Sequence, residues 1–133
     1  MADVIRHETT WAERERQNRL RGAKEVKFVY GVTTVPERFD TVLPITLDSL
    51  ANAGFDKPRL FVDGATSLPA WGTKYETTFR TPRIRVFGNW ILSLAELYIR
   101  NPQGTLYGLF QDDILASKNL REYLEKSKYP ERG

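Results

Sequence analysis

Between Val26 and Val62 the chain carries two short apolar runs separated by one helical stretch, and this alternation restricts the fold more than any other feature. The first run, Val26-Lys27-Phe28-Val29-Tyr30-Gly31-Val32-Thr33, is rich in β-branched and aromatic residues and reads as a buried strand. After the loop from Thr34 to Phe39, Asp40 or Thr41 can cap a helix whose Leu43, Leu47, Leu50 and Ala51 fall on one face. Pro44 favours Thr41 as the cap, because it then lies in the first turn, where no amide bond is lost; Gly54 supplies the stop. Arg59-Leu60-Phe61-Val62 follows as a second strand running into Asp63-Gly64. Strand-helix-strand units with short connections pack right-handed into a parallel sheet. The expected class is therefore α/β, a three-layer α/β/α sandwich with a mainly parallel sheet.

The remainder extends this pattern. Thr66 to Pro82 holds Pro, Gly, Ser and Thr with little periodicity and reads as a long loop with a short helix around Lys74 to Phe79. Arg83 to Phe87 alternates and suits a third strand. Gly88-Asn89 introduces a helix from Trp90 to Arg100, apolar on most faces and so expected to be buried, which ends at Asn101-Pro102. Thr105 to Phe110, almost free of charge, forms a fourth strand that delivers Gln111-Asp112-Asp113 at its carboxyl end, and Ser117 caps a last helix carrying Leu120, Tyr123 and Leu124. The expected strand order is 3-2-1-4, which opens a crevice between the first and fourth strands. Residues 1–25 form a polar segment of their own, in which the capping-box spacing of Thr10 and Glu13 and the Glu15–Arg19 pair predict a surface helix from Trp11 to Arg21. The main domain is then 26–133.

Composition narrows the function classes. Zero cysteines exclude disulfides and thiolate chemistry, and a single histidine, His7 in the polar leader, argues against a Ser-His-Asp triad or a multi-histidine metal site. The net charge of +3 comes from 20 cationic residues interleaved with 17 anionic ones, so nucleic acid is not demanded. No apolar run approaches the roughly 20 residues that cross a bilayer, and the start lacks the apolar core of a signal peptide, so a soluble, cytoplasmic protein is expected.

In open parallel sheets ligands bind beyond the carboxyl ends of the strands. Thr33 to Arg38, Asp63, Gly88-Asn89 and Gln111-Asp112-Asp113 all follow strands in this reading, so four loops converge on one rim. Two adjacent carboxylates at a strand end repel each other unless a cation offsets them, and oxygen-only ligands point to magnesium or manganese completed by phosphate oxygens. Bland readings stand beside these: Asp112 and Asp113 as loop residues, Arg38 as a solvated charge, Asp63 as a turn residue before Gly64, and Asn89 as a helix N-cap.

Taken together, Thr33-Thr34-Val35-Pro36-Glu37-Arg38, Phe61-Val62-Asp63-Gly64 and Phe110-Gln111-Asp112-Asp113-Ile114 resemble the nucleotide-binding half of GT-A glycosyltransferases, a Rossmann-like fold. The last motif is similar to the Glu-Asp-Asp variant of the Asp-X-Asp motif of type I N-acetylglucosaminyltransferases, with Gln111 in place of the first acid. The resemblance implies Asp113 as the metal ligand for Mn2+ or Mg2+ and Asp112 at the ribose or the metal's hydration shell. It implies Asp63 at the base, Thr33, Thr34 and Arg38 around the nucleoside and diphosphate, and Gln111 at a ribose hydroxyl, with Asn89 as a further candidate contact. The implied ligand is a nucleotide-diphosphate sugar, a UDP-sugar first, with the acceptor open. A GT-A enzyme of this kind continues past the metal motif into an acceptor half, so the chain resembles half an enzyme, to be completed by further residues, a partner or a second copy. The competing class is a non-catalytic nucleotide-binding or assembly domain.

Overall fold

The computed structural model describes residues 26–127, so the predicted helix from Trp11 to Arg21 lies outside the described residues. The four strands, β1 (Phe28–Thr34), β2 (Arg59–Asp63), β3 (Thr77–Arg80) and β4 (Leu106–Gln111), form one sheet in the order β3-β2-β1-β4. Every pairing is parallel. The helices are α1 (Val42–Asn52), α2 (Arg85–Arg100) and α3 (Leu120–Lys126). Both the predicted class and the predicted strand order hold.

The helices fall on opposite faces because strand side chains alternate. Val32, Leu60 and Val62 meet Leu43, Leu47 and Leu50 of α1, with Phe55 fully buried among them and Leu120 and Leu124 of α3 packed alongside. Val29, Phe61 and Leu97 of α2 form a smaller cluster on the other face. Thr41 is the N-cap position of α1, with Pro44 in the first turn, and the helix is stopped at Gly54, whose φ of 103° suits a residue without a side chain. Arg121 of α3 lies over the rings of Phe28, Tyr30 and Phe55 and donates to the Gly54 carbonyl at 2.7 Å, which ties α3 to the end of α1.

Four local expectations are corrected. The third strand is Thr77–Arg80, inside the stretch expected to be loop, and Arg83 to Phe87 is not a strand, because α2 begins at Arg85. No helix forms around Lys74 to Phe79; a single 3-10 turn, Ala70–Gly72, stands before β3 instead. Ser117 does not cap the last helix through its side chain: Asn119 occupies the cap position, and the Ser117 carbonyl accepts from the Leu120 amide at 3.0 Å. Finally, α2 is not buried all round. Its buried residues are Asn89, Ser93 and Leu97, whereas Phe87, Ile91, Leu94 and Tyr98 stay exposed.

The physical reason for this orientation is a polar network on the β2-β3 half of the sheet. Arg80 donates to Asn89 at 2.8 Å and to Ser93 at 3.2 Å, Asn89 donates to the Phe61 carbonyl at 3.1 Å, and Arg59 and Arg80 reach Glu96 at 3.4 and 3.5 Å. Burial pushes the Glu96 carboxyl up, but hydrogen bonds from Thr78 and Arg100 outweigh it and hold the group below its ordinary value. The polar stripe of α2 is drawn inward by these partners, and the apolar stripe is left outside. No helix among the described residues is long and apolar enough to cross a membrane.

Candidate functional site at the strand ends

Register sets the rim. Thr33 of β1 stands opposite Phe61 of β2 and Gln111 of β4, so Thr34, Asp63 and Asp112 leave the sheet along one edge. The half-open cavity there measures about 190 Å3 and is lined by all the nominated residues: Thr33, Thr34, Arg38, Asp63, Asn89 and the run Gln111 to Asp113. This is below the roughly 300–1,000 Å3 of enclosed ligand pockets, so a nucleotide-sized ligand would be gripped along one side.

Within the acid pair the two residues differ sharply. Asp112 is 4% exposed. Its Oδ2 accepts from the Thr34 hydroxyl at 2.7 Å and its Oδ1 from Arg38 Nη1 at 2.6 Å. The Thr46 hydroxyl of α1 lies 2.7 Å from the Asp112 carbonyl and 2.9 Å from that of Ile114, and its one proton serves either. Ser49 Oγ accepts from the Ala116 amide, so α1 pins the whole turn from behind. Asp113, by contrast, has a side chain 45% exposed whose nearest cation is Arg38 at 3.5 Å. The hydrogen bond to Asp112, then the charges of both aspartates, raise the Arg38 guanidinium above its ordinary value, so it is a fixed cation facing the cavity.

Asp63 is 2% exposed, and its two oxygens accept from the amides of Ile84 at 2.8 Å and Arg85 at 2.7 Å. It serves as the acceptor at the start of α2, holding Arg85 at a φ of 74°, a conformation an L-residue adopts at a cost of about 1–2 kcal/mol. Asn89 is not the N-cap its position suggested. It sits one turn inside α2, is 3% exposed, and reaches the cavity wall with its amide already bonded to Arg80 and Phe61.

Several features of the rim escaped the sequence reading. Val86, 72% exposed in the first turn of α2, lines the cavity beside Val35. Glu37 and Arg83 form a two-pronged ion pair at 2.7 and 2.8 Å that joins the loop after β1 to the segment before α2. The Arg83 hydrogen bond holds the Glu37 carboxyl down at about 2. Gly64, at φ 95°, lets the Arg83 guanidinium pass, since a Cβ there would stand 2.5 Å from Nε. Thr46, whose hydroxyl reaches the Asp112 turn, is not among the α1 positions named from the sequence, Leu43, Leu47, Leu50 and Ala51. No local signal joins Glu37 to Arg83, which are 46 residues apart.

Fit to a divalent cation can be judged from the donors. Asp112 and Asp63 have both oxygens engaged, and no group of three or more His, Cys, Asp or Glu gathers among the described residues. Asp113 alone is open. The set does not suit an all-protein cage, but it suits the hard-cation arrangement in which one carboxylate is completed by waters and ligand phosphates. Compared with known proteins, the chain matches no protein-family model, no curated protein and no solved structure.

Proposed function

We propose that the chain is the nucleotide-sugar-binding half of a cytoplasmic GT-A-type glycosyltransferase, taking a nucleotide-diphosphate sugar, UDP-sugars first, at the β1–β4 crevice. The observation that carries the reading is the unequal acid pair: Asp112 locked behind the rim and Asp113 half exposed beside Arg38 where the strand order reverses. In this reading Asp113 would hold Mn2+ or Mg2+, and the ion would supply positive charge against a diphosphate. Arg38 donates to a phosphate oxygen through the guanidinium nitrogens that Asp112 leaves free. Thr33 and Gln111, adjacent in register, offer a hydroxyl and an amide to the ribose, and Val86 supplies apolar contact to the base. Asp63 and Asn89 support this wall from beneath, since their polar atoms are already engaged.

The test is calorimetric titration of UDP into the full chain with manganese and with chelator. Binding should weaken by about tenfold or more in chelator, near 1.4 kcal/mol, and Asp113→Ala should lose the metal response while Gln111→Ala keeps it. Equal binding in both buffers removes the metal, and absence of binding in both removes the nucleotide. A second reading, a non-catalytic assembly domain, is favoured by the exposed apolar face of α2.

A further inference from the structure

Helix α2 has the outward face of a helix that belongs in an interface. Phe87, Ile91, Leu94 and Tyr98 recur at spacings of four, three and four, the seam of a helix pair, and are 77, 48, 40 and 57% exposed. Leu92 and Ile99, at 49 and 73%, add apolar surface further round the helix. With about 150–200 Å2 for each large side chain, these residues leave roughly 600 Å2 of apolar surface in water. Single-copy domains seldom leave more than about 300–600 Å2 in one patch, and a stable protein interface takes about 800 Å2 from each partner.

Beside this helix lies an open sheet edge. Among the described residues β4 pairs only with β1, so its other side presents unpaired amides and carbonyls. Edges are ordinarily guarded by charge, proline or brevity. The opposite edge, β3, is four residues long and ends in Arg80, whereas β4 runs six residues, Leu-Tyr-Gly-Leu-Phe-Gln, without a charge. The two features are continuous, because the Tyr98 ring of the stripe touches the Tyr107 ring of β4 with centroids 5.7 Å apart.

From this we infer that the α2 stripe and the β4 edge together receive a second copy of the chain through one two-fold axis perpendicular to the sheet. That axis would run β4 antiparallel to the partner's β4, continuing the sheet across the interface, and would lay the two α2 helices side by side on the same face in opposite directions. The stripe is its own complement under this operation. Reading aromatic, aliphatic, aliphatic, aromatic from either end, it sets Phe87 against Tyr98 of the partner subunit and Ile91 against Leu94 of the partner subunit. A parallel arrangement would have no strand pairing to accompany it. The two rims then open at opposite ends of the continuous sheet, so the pairing stands or falls independently of what the rim binds.

Sedimentation velocity of the full chain from low to high micromolar concentration should give twice the chain mass. Ile91→Glu with Leu94→Glu should weaken the dimer by about 30-fold or more, as loss of an interface centre does, with the far-ultraviolet circular dichroism unchanged. Because the chain has no cysteine, Phe87→Cys with Tyr98→Cys gives a second measurement: oxidation should link two chains, since the two positions lie about 16 Å apart along one helix and cannot close on each other. Each single cysteine should link poorly. A monomer at every concentration, or a dimer indifferent to Ile91→Glu with Leu94→Glu, overturns the inference; should that variant fail to fold, absence of the cross-link does the same. A monomer that becomes a dimer on removal of residues 1–25 would mean that the chain covers its own stripe, which also overturns it.

Discussion

At the scale of single residues, neighbouring aspartates divide two tasks. Asp112 has its carboxylate, its carbonyl and its solvent exposure consumed by Thr34, Arg38 and Thr46, whereas Asp113 contributes little to packing. Asp112→Ala should therefore lower unfolding free energy by about 1.5–3 kcal/mol, the range for hydrogen bonds to a charged group, and Asp113→Ala should stay within about 0.5 kcal/mol. Urea unfolding of the two variants checks this, and equal losses would contradict the division. The placement of an acid pair at the end of a charge-free strand was legible from Leu106 to Phe110. The inequality of the pair was not, because it depends on a threonine in β1 and another in α1, 78 and 66 residues away.

At the scale of elements, the main surprise concerns where α2 begins. Arg83 to Phe87 alternates like a strand, and local alternation contains no information about Asp63, whose carboxylate meets the amides of Ile84 and Arg85 from 21 and 22 residues upstream. That tertiary acceptor outweighs the local pattern and starts the helix. Asp63→Ala should destabilise the fold by about 1–2 kcal/mol, as loss of an N-terminal helix acceptor does, and hydrogen exchange should quicken first in the opening turn of α2. Uniform exchange along the helix would show that Asp63 does not anchor it. The same blindness explains β3. Thr77-Thr78-Phe79-Arg80 is short and polar, and it becomes a strand through its pairing with β2, register Leu60 to Thr77, and through Arg59 and Glu96 beneath it. By contrast β1, α1, β2 and β4 were legible, since each carries an uninterrupted apolar run or stripe that one partner element satisfies.

At the scale of the whole molecule, the order β3-β2-β1-β4 followed from chain connectivity and the handedness of crossovers, even though the residues assigned to the third strand were displaced by one segment. The inventory of residues that meet at the rim followed in part: Thr33, Asp63 and the run Gln111 to Asp113 end parallel strands and so share one edge, whereas Asn89 reaches it from inside α2. On this inventory the chain alone should transfer no sugar at an ordinary enzyme rate, about 1 per second or more. An inverting transfer needs a base within hydrogen-bond reach of the acceptor hydroxyl. Of the rim carboxylates among the described residues, Asp63 and Asp112 are saturated and Glu37 is held by Arg83, which leaves only Asp113, the proposed metal ligand. Incubation with manganese, a panel of nucleotide sugars and simple acceptors checks it, and acceptor-dependent turnover at that rate would refute it. The rim also has a temporal consequence. Its two charged partners, Arg38 and Asp112, are 74 residues apart in sequence and meet only once β4 has docked beside β1. Contacts of such long range form late, after the loop between them has been closed. On a ribosome, a chain with β1, α1 and β2 already emerged would still lack the crevice, so the ability to hold a ligand there arrives with the last strand, and a ligand that bound it would act as a clamp on the final step of folding.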